Sequence, residues 1–522
     1  MLKSCFKPFL YNKPYLRHLN TTHTPAKQDK RWPGWEVVIG LEVHTQIKSR
    51  AKLFSDSWTS GYDEPPNSHV NAFDASYPGV LPKLNSTCVD MAIRTAIALN
   101  ADIQLRSSFD RKHYFYSDLP SGYQITQQYA PIARNGHLKL QNHGTSVNIK
   151  QIQLEQDTAK STFDPQTQQT FIDLNRSGTA LMEIVSEPDM SSPEQAGEYV
   201  KSLQELLRAI GVSDGNMEQG SLRCDVNVSV NRIGEPKGTR CEIKNLNSIR
   251  FMTTAIISEA LRHISLLEVG KSIAQETRGF DEHSAETYCL RSKEDAPDYR
   301  YMPDPNLPPL LINEQYINSI KESMPELPSE TRSRLLAMGL SARDADFLMT
   351  IDSGRDIDFD GNVKYGYISF FEDVARHRDP KVAFNWVTHD LYGLLLSRKE
   401  TFKDRAVTAT HLRYLIDLVE SKKITGASGK VILKRMQEQP SAKLPSTLAE
   451  ELNLLALDEN VDDTVNKLCI EAIDRLPEES EAVRKGNIRV LNKLVGYIMK
   501  SSKGRVDAQI IQTRLKEILT TK

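Results

Sequence analysis

Between Trp35 and about Pro309 the apolar residues come in short runs of β type, broken by Gly, Pro and Asn. In Val37–Gln46 apolar and polar positions alternate, and a two-residue period puts Glu42, His44 and Gln46 on one face of a strand. In Gln151–Asp157 one face takes Ile152 and Leu154, and the other takes Gln151, Gln153, Glu155 and Asp157. Over Leu181–Glu187 the same period pairs Glu183 with Glu187. One helix interrupts the strands. Ser192 offers a capping hydroxyl, Pro193 suits the first helical position and Gln195 stands where a capping box needs it. Ala196, Tyr199, Val200, Leu203, Leu206, Leu207 and Ile210 then fall on one apolar face, and Gly211 ends it. Strands and helices without regular βαβ alternation predict an α+β domain over residues 35–310.

Past the proline-rich stretch Pro303–Pro309 the period becomes helical. A small helical unit is expected over 325–403 and a second over 404–522. In the second, Val490, Leu491, Leu494, Val495 and Ile498 make one stripe, and Ile510, Ile511, Leu515, Ile518 and Leu519 another. From Arg484 to Lys522 there are ten Lys and Arg against two acids, Asp507 and Glu517. Such a run suits a phosphate backbone, although a solvated helical face has the same composition.

Length and composition narrow the class. A chain of 522 residues exceeds one ordinary core and implies two or three domains. Hydrophobic residues at 39% and charged residues at 26% are globular values. No apolar run approaches the roughly 20 residues of a bilayer span. The six cysteines are scattered with no CxxC pair, which argues against a zinc ribbon or a disulfide framework. The first 28 residues carry Lys3, Lys7, Lys13, Arg17 and Lys27 and no acid, with Ser, Thr, Asn and Pro between them. That composition reads as a mitochondrial transit peptide.

Three strands that aim acids at one side of a sheet can build a hard-cation site, for which Mg²⁺ with carboxylates and one imidazole is the natural occupant. Polar residues are also what any solvent-facing strand carries. Gly270-Lys271-Ser272 has the ending of a phosphate-binding loop, but Ser265 stands where the first glycine belongs. A nucleotide would therefore need another scaffold, with Arg111, Lys112, Lys160, Asn175, Arg176 and Arg223 as candidate contacts.

Longer segments carry a family resemblance. Val38–His44 (VIGLEVH), Asn71–Lys83 (NAFDASYPGVLPK), Phe109–Gln127 (FDRKHYFYSDLPSGYQITQ) and Ile172–Asp189 (IDLNRSGTALMEIVSEPD) resemble the B subunits of aspartyl/glutamyl-tRNA amidotransferases. Gly220–Val226, Glu242–Asn247, Gln275–Arg278, Asp298–Pro305 and Leu494–Gly504 continue the resemblance in the family's order, over about 490 residues. It implies a polypeptide that uses ATP and Mg²⁺ to phosphorylate the side-chain carboxylate of Glu on tRNA(Gln), with ammonia supplied by an amidase (A) subunit and a small accessory subunit completing the assembly. By the same resemblance Glu42, His44 and Glu183 stand at metal-binding positions, with Glu183 and His44 essential to catalysis, and the tail contacts tRNA. The third acid is Glu155 or the position of Gln156, where the family commonly has a second glutamate; strand alternation favours Glu155. Ala180 replaces a proline usual in the family. The rival expectations are amidation of Asp-tRNA(Asn) and a non-catalytic tRNA-binding scaffold; the transit-like segment favours the glutamyl reaction in the mitochondrial matrix.

Overall fold

The structure, a computed structural model, describes residues 29–520 apart from 62, 293–297, 353–356, 362–365, 440–442, 457–460 and 503. The expected transit segment, residues 1–28, lies outside the described residues. The chain divides into two compact units, one of 1–42, 187–198 and 224–296, the other of 43–186, 199–223 and 297–522. The strand Trp35–Gln46 and the helix Pro193–Ala209 each run from one unit into the other.

In the first unit the strand Leu222–Arg232, from Cys224 on, pairs antiparallel with Cys241–Leu246, which pairs parallel with Glu276–Asp281, which pairs antiparallel with Glu286–Ser292. The helix Ile249–Glu268 covers this mixed ladder and buries Met252, Ala255, Ile256, Ala260 and Ile264. In the second unit the strands Ala180–Ser186, Ser146–Gln156, Ala133–Lys139 and Asp102–Ile103 form an antiparallel ladder in that order. The helix Ser86–Ala98 packs on it, capped by Asn85, whose side chain accepts from the Thr87 amide. A small sheet of Met302–Pro303, Asp110–His113 and Tyr123–Thr126 stands beside it.

The capping signals at Ser192 act as expected. Ser192 Oγ accepts from the Gln195 amide at 3.2 Å, while the Gln195 side chain accepts from the amide of Ser191, one residue earlier than the standard box. All seven residues of the expected apolar face are buried, and Val200, Leu203, Leu206, Leu207 and Ile210 each contribute about 1.5–3 kcal/mol against exposure. Gly211 follows at a φ of +73° that a side chain would resist.

From Glu314 onward the described secondary structure is helical. One apolar cluster runs from Leu335 to Leu454, across the expected boundary at 403/404, because Val407, Leu412, Leu415 and Ile416 pack with Tyr367, Phe370 and Phe371. A second cluster spans Val465–Leu519 and takes in both expected stripes, with one departure: Ile510 is exposed and Ile511 is buried in its place. No helix among the described residues is long and apolar enough to cross a membrane.

Candidate active site

Alternation holds along Trp35–Gln46, where Glu42, His44 and Gln46 stand on the half-exposed face and Leu41, Val43 and Thr45 are buried. In the second unit the pairing of Ala180–Ser186 with Ser146–Gln156 sets Glu183 opposite Gln153 and Leu181 opposite Glu155. Both acids therefore lie on one face. The outcome is a cluster in which ligand atoms of His44, Glu155 and Glu183 lie within 4.8 Å of one another. Glu155 is 3% exposed and Glu183 9%, so both carboxylates have lost most of their water.

Neighbouring amides fix these carboxylates. Gln124 Nε2 donates to Glu155 at 2.5 Å and to the Gln156 carbonyl at 2.7 Å. Gln153 Nε2 donates to Glu183 at 2.6 Å, and Gln151 donates in turn to Gln153 at 2.6 Å. The half-buried Lys112 supplies positive charge. Burial opposes its ionisation, but the Glu155 carboxylate, with Tyr301 and Glu183 behind it, holds the ammonium above its ordinary pKa. Two carboxylates, one imidazole and one ammonium leave a net negative site, and this oxygen-rich donor set fits Mg²⁺.

The other expected residues have separate employment. Glu42, in the first unit, accepts from Asn227 Nδ2 at 3.1 Å. Asp157 continues the polar face of its strand but is bound by Arg223 at 2.9 Å, by Arg176 at 3.7 Å and by Gln46 at 3.1 Å. Burial alone would raise its pKa; Arg223 and then Arg176 outweigh that and hold it below the usual carboxylate range. Arg176 also donates to the carbonyls of Thr158 and Ala159. Asn175 is buried and spends its amide on the loop before it, accepting from the His69 amide and donating to the Pro65 carbonyl. Lys160 is exposed at the start of the hairpin strand Lys160–Asp164. Glu187 lies one residue past the end of the strand Ala180–Ser186, so the strand alternation that places Glu183 does not extend to it. Gln156 lines a cavity of about 220 Å³ with Ser121, Tyr123 and Ser177, on the opposite side from Glu155.

Gln124 and Gln153, the holders of the two acids, carry no signal of that role in the sequence. Gln124 lies on a different strand, 31 residues from Glu155, so only strand pairing brings them together. Lys52 and Asp74 escape sequence reasoning as well: their ion pair of 3.0 Å is fully buried and also holds Ser55 and the Leu174 carbonyl.

Comparison with known proteins adds independent findings. Residues 37–318 match the family model described as the GatB/GatE catalytic domain, and residues 369–519 match the GatB domain. The chain is 56% identical over 514 residues to the B subunit of the mitochondrial glutamyl-tRNA(Gln) amidotransferase of Laccaria bicolor, covering 94% of each. It is 46% identical to the protein of the same name in Cryptococcus neoformans, over 93% of this chain and 94% of that one. The B subunit of the aspartyl/glutamyl-tRNA(Asn/Gln) amidotransferase of Rickettsia rickettsii is 43% identical, over 93% of this chain and 98% of its own length.

Proposed function

The chain belongs to the GatB/GatE family, and from that premise we propose that it transamidates misacylated Glu-tRNA(Gln) to Gln-tRNA(Gln) in the mitochondrion. Its named relatives at 56% and 46% identity are mitochondrial and glutamyl-specific, which favours this acceptor and this compartment, with the matrix as the site of work. An amidase subunit supplies ammonia, and a small accessory subunit completes the complex.

The observation that carries the mechanism is the His44–Glu155–Glu183 cluster beside Lys112. A carboxylate is a poor acyl donor at neutral pH, and converting it to an acyl phosphate with ATP supplies a leaving group that ammonia can displace. Bound Mg²⁺ neutralises phosphoryl charge in such a transfer. His44, Glu155 and Glu183 would hold it; Gln124 and Gln153 keep the two carboxylates from turning away. Lys112 attracts the anionic groups of substrate and nucleotide to the site. Arg176 and Arg223, tied to Asp157, brace the strand end from which Glu155 projects. The reaction needs no protein nucleophile.

The test is ATP cleavage by the reconstituted complex, measured with Glu-tRNA(Gln), Asp-tRNA(Asn) or no tRNA. Cleavage dependent on Glu-tRNA(Gln) is expected. Equal stimulation by Asp-tRNA(Asn) would make the chain bifunctional, and tRNA binding without cleavage would reduce it to a scaffold.

A further inference from the structure

Five tyrosines of the second unit form a continuous series of edge contacts. Ring centres are 5.6 Å apart between Tyr116 and Tyr114, and 5.9 Å between Tyr114 and Tyr299. They are 6.1 Å apart between Tyr299 and Tyr301, and 6.2 Å between Tyr301 and Tyr129. The inner rings are half-buried, but the ends open to solvent, Tyr116 at 57% and Tyr129 at 60% exposure. Lys112 Nζ lies 5.1 Å from the centre of the Tyr299 ring. Lys112 stands opposite Gln124 in the small sheet, and Gln124 Nε2 donates to Glu155 at 2.5 Å, so one strand pair joins the ladder to the carboxylate cluster.

We propose that this tyrosine ladder is the stacking platform for the unpaired 3′-terminal nucleotides of the aminoacylated tRNA. The inference rests on the function proposed above and adds the residues that receive the end of the substrate. Its logic is covalent. An aminoacyl group is esterified to the terminal ribose, so a carboxylate delivered to Glu155 and Glu183 brings the terminal base to within one nucleoside's length of Lys112. Aromatic faces beside cations are what unpaired bases stack on, because every base presents a π-face whatever its identity. The cation also separates this surface from a protein interface. The core of such an interface is depleted in lysine, whereas here the Lys112 ammonium lies 5.1 Å from the centre of the Tyr299 ring. Stacking on rings that are already packed edge to edge costs little further ordering.

The experiment uses the assembled complex and tRNA(Gln) with 2-aminopurine in place of its terminal adenine. Binding to the complex should quench the fluorophore. The double variant Tyr116→Ala, Tyr129→Ala should lose that quenching and raise KM for Glu-tRNA(Gln) about ten-fold, since each stacked base is worth a factor of that order. Tyr116→Phe with Tyr129→Phe should restore both, because the ring and not the hydroxyl makes the contact. Unchanged quenching and KM in the alanine variant overturn the proposal. So does failure of the amidase subunit to co-purify with that variant, which would make the ladder a protein interface. A wild-type complex without Glu-tRNA-dependent ATP cleavage fails the functional reading instead, so the two failures are distinct.

Discussion

Glu183 stands opposite Gln153 in the ladder and takes that residue's amide at 2.6 Å, so Glu183→Gln changes one oxygen for nitrogen at constant volume. A neutral amide is a far weaker ligand for a hard cation. The variant should fold, assemble and bind tRNA, but Glu-tRNA-dependent ATP cleavage should fall at least ~100-fold, the equivalent of about 2.7 kcal/mol or more of barrier. Near-normal turnover in an intact complex would remove Glu183 from the metal site. Gln156→Ala should be mild by comparison, since Gln156 lies on the opposite side from the cluster. At this scale the sequence shows a good deal: a two-residue period already separates Glu155 from Gln156 and groups Glu42 with His44. It misses what depends on partners from distant strands. Asp157 has the same parity as Glu155, yet Arg223, 66 residues on, binds it. Asn175 reads as a nucleotide contact, yet a loop about 110 residues earlier in the chain uses its amide.

The helix Ile249–Glu268 shows the same limit at the scale of an element. The apolar pattern shows one helix among these strands, the one that Ser192 caps and Gly211 ends, and does not reveal this one, in which Glu259 lies fully buried on the apolar face. It is held by Arg262 at 2.6 Å, His263 at 2.9 Å, Arg278 at 3.2 Å and the Thr287 hydroxyl at 2.7 Å. Arg278 and Thr287 come from the strands Glu276–Asp281 and Glu286–Ser292, so one carboxylate fastens the helix to two strands. Burial alone would push its pKa up; His263, Arg262 and Thr287 hold it far below the ordinary 4.5. A depressed folded-state value means that the unfolded chain binds the extra proton. The stabilisation is therefore fully present above pH 4.5 and is lost as the pH falls below it. Thermal melts of wild type and Glu259→Gln, compared from neutral to acid pH, should show a gap that is widest at neutral pH and narrows below 4.5. A gap of constant width would mean that the ionised carboxylate is not what holds the helix down.

At the scale of the whole chain, the shift from strands to helices after Pro309 is visible in the period of apolar residues, but the division of the helical part is not. Residues on both sides of 403/404 share one apolar cluster, because side chains distant in sequence fill a common core, and period alone cannot say which helices share one. The tail beyond it has its own core, Val465–Leu519, and carries its excess of cations around that core. These cations differ in what they are free to do. Arg505 gives its Nε to the Leu455 carbonyl at 3.1 Å, and Arg514 pairs with Glu517 at 2.7 Å, so removing either disturbs the fold together with any tRNA contact. Lys493 and Lys500 are exposed on the helix Leu491–Ser501, and Lys485 is exposed at the end of Pro477–Arg484 and reaches Glu481 only at 3.7 Å, so all three can be removed with less structural cost. Lys493 reaches Glu479 only at 3.7 Å and with 72% of its side chain exposed, an arrangement that adds little stability. Each phosphate neutralised on binding releases counterions and adds about 0.7–0.9 to the slope of log affinity against log salt, so three such contacts account for about 2. Replacing Lys485, Lys493 and Lys500 together with Ala should leave the melting curve and the assembly of the complex unchanged. It should weaken tRNA binding at low salt and flatten that slope by about 2, so that wild type and variant converge at high salt. Affinities measured across a salt series decide the matter: a parallel line of unchanged slope would mean that these lysines only solvate the tail's outer face.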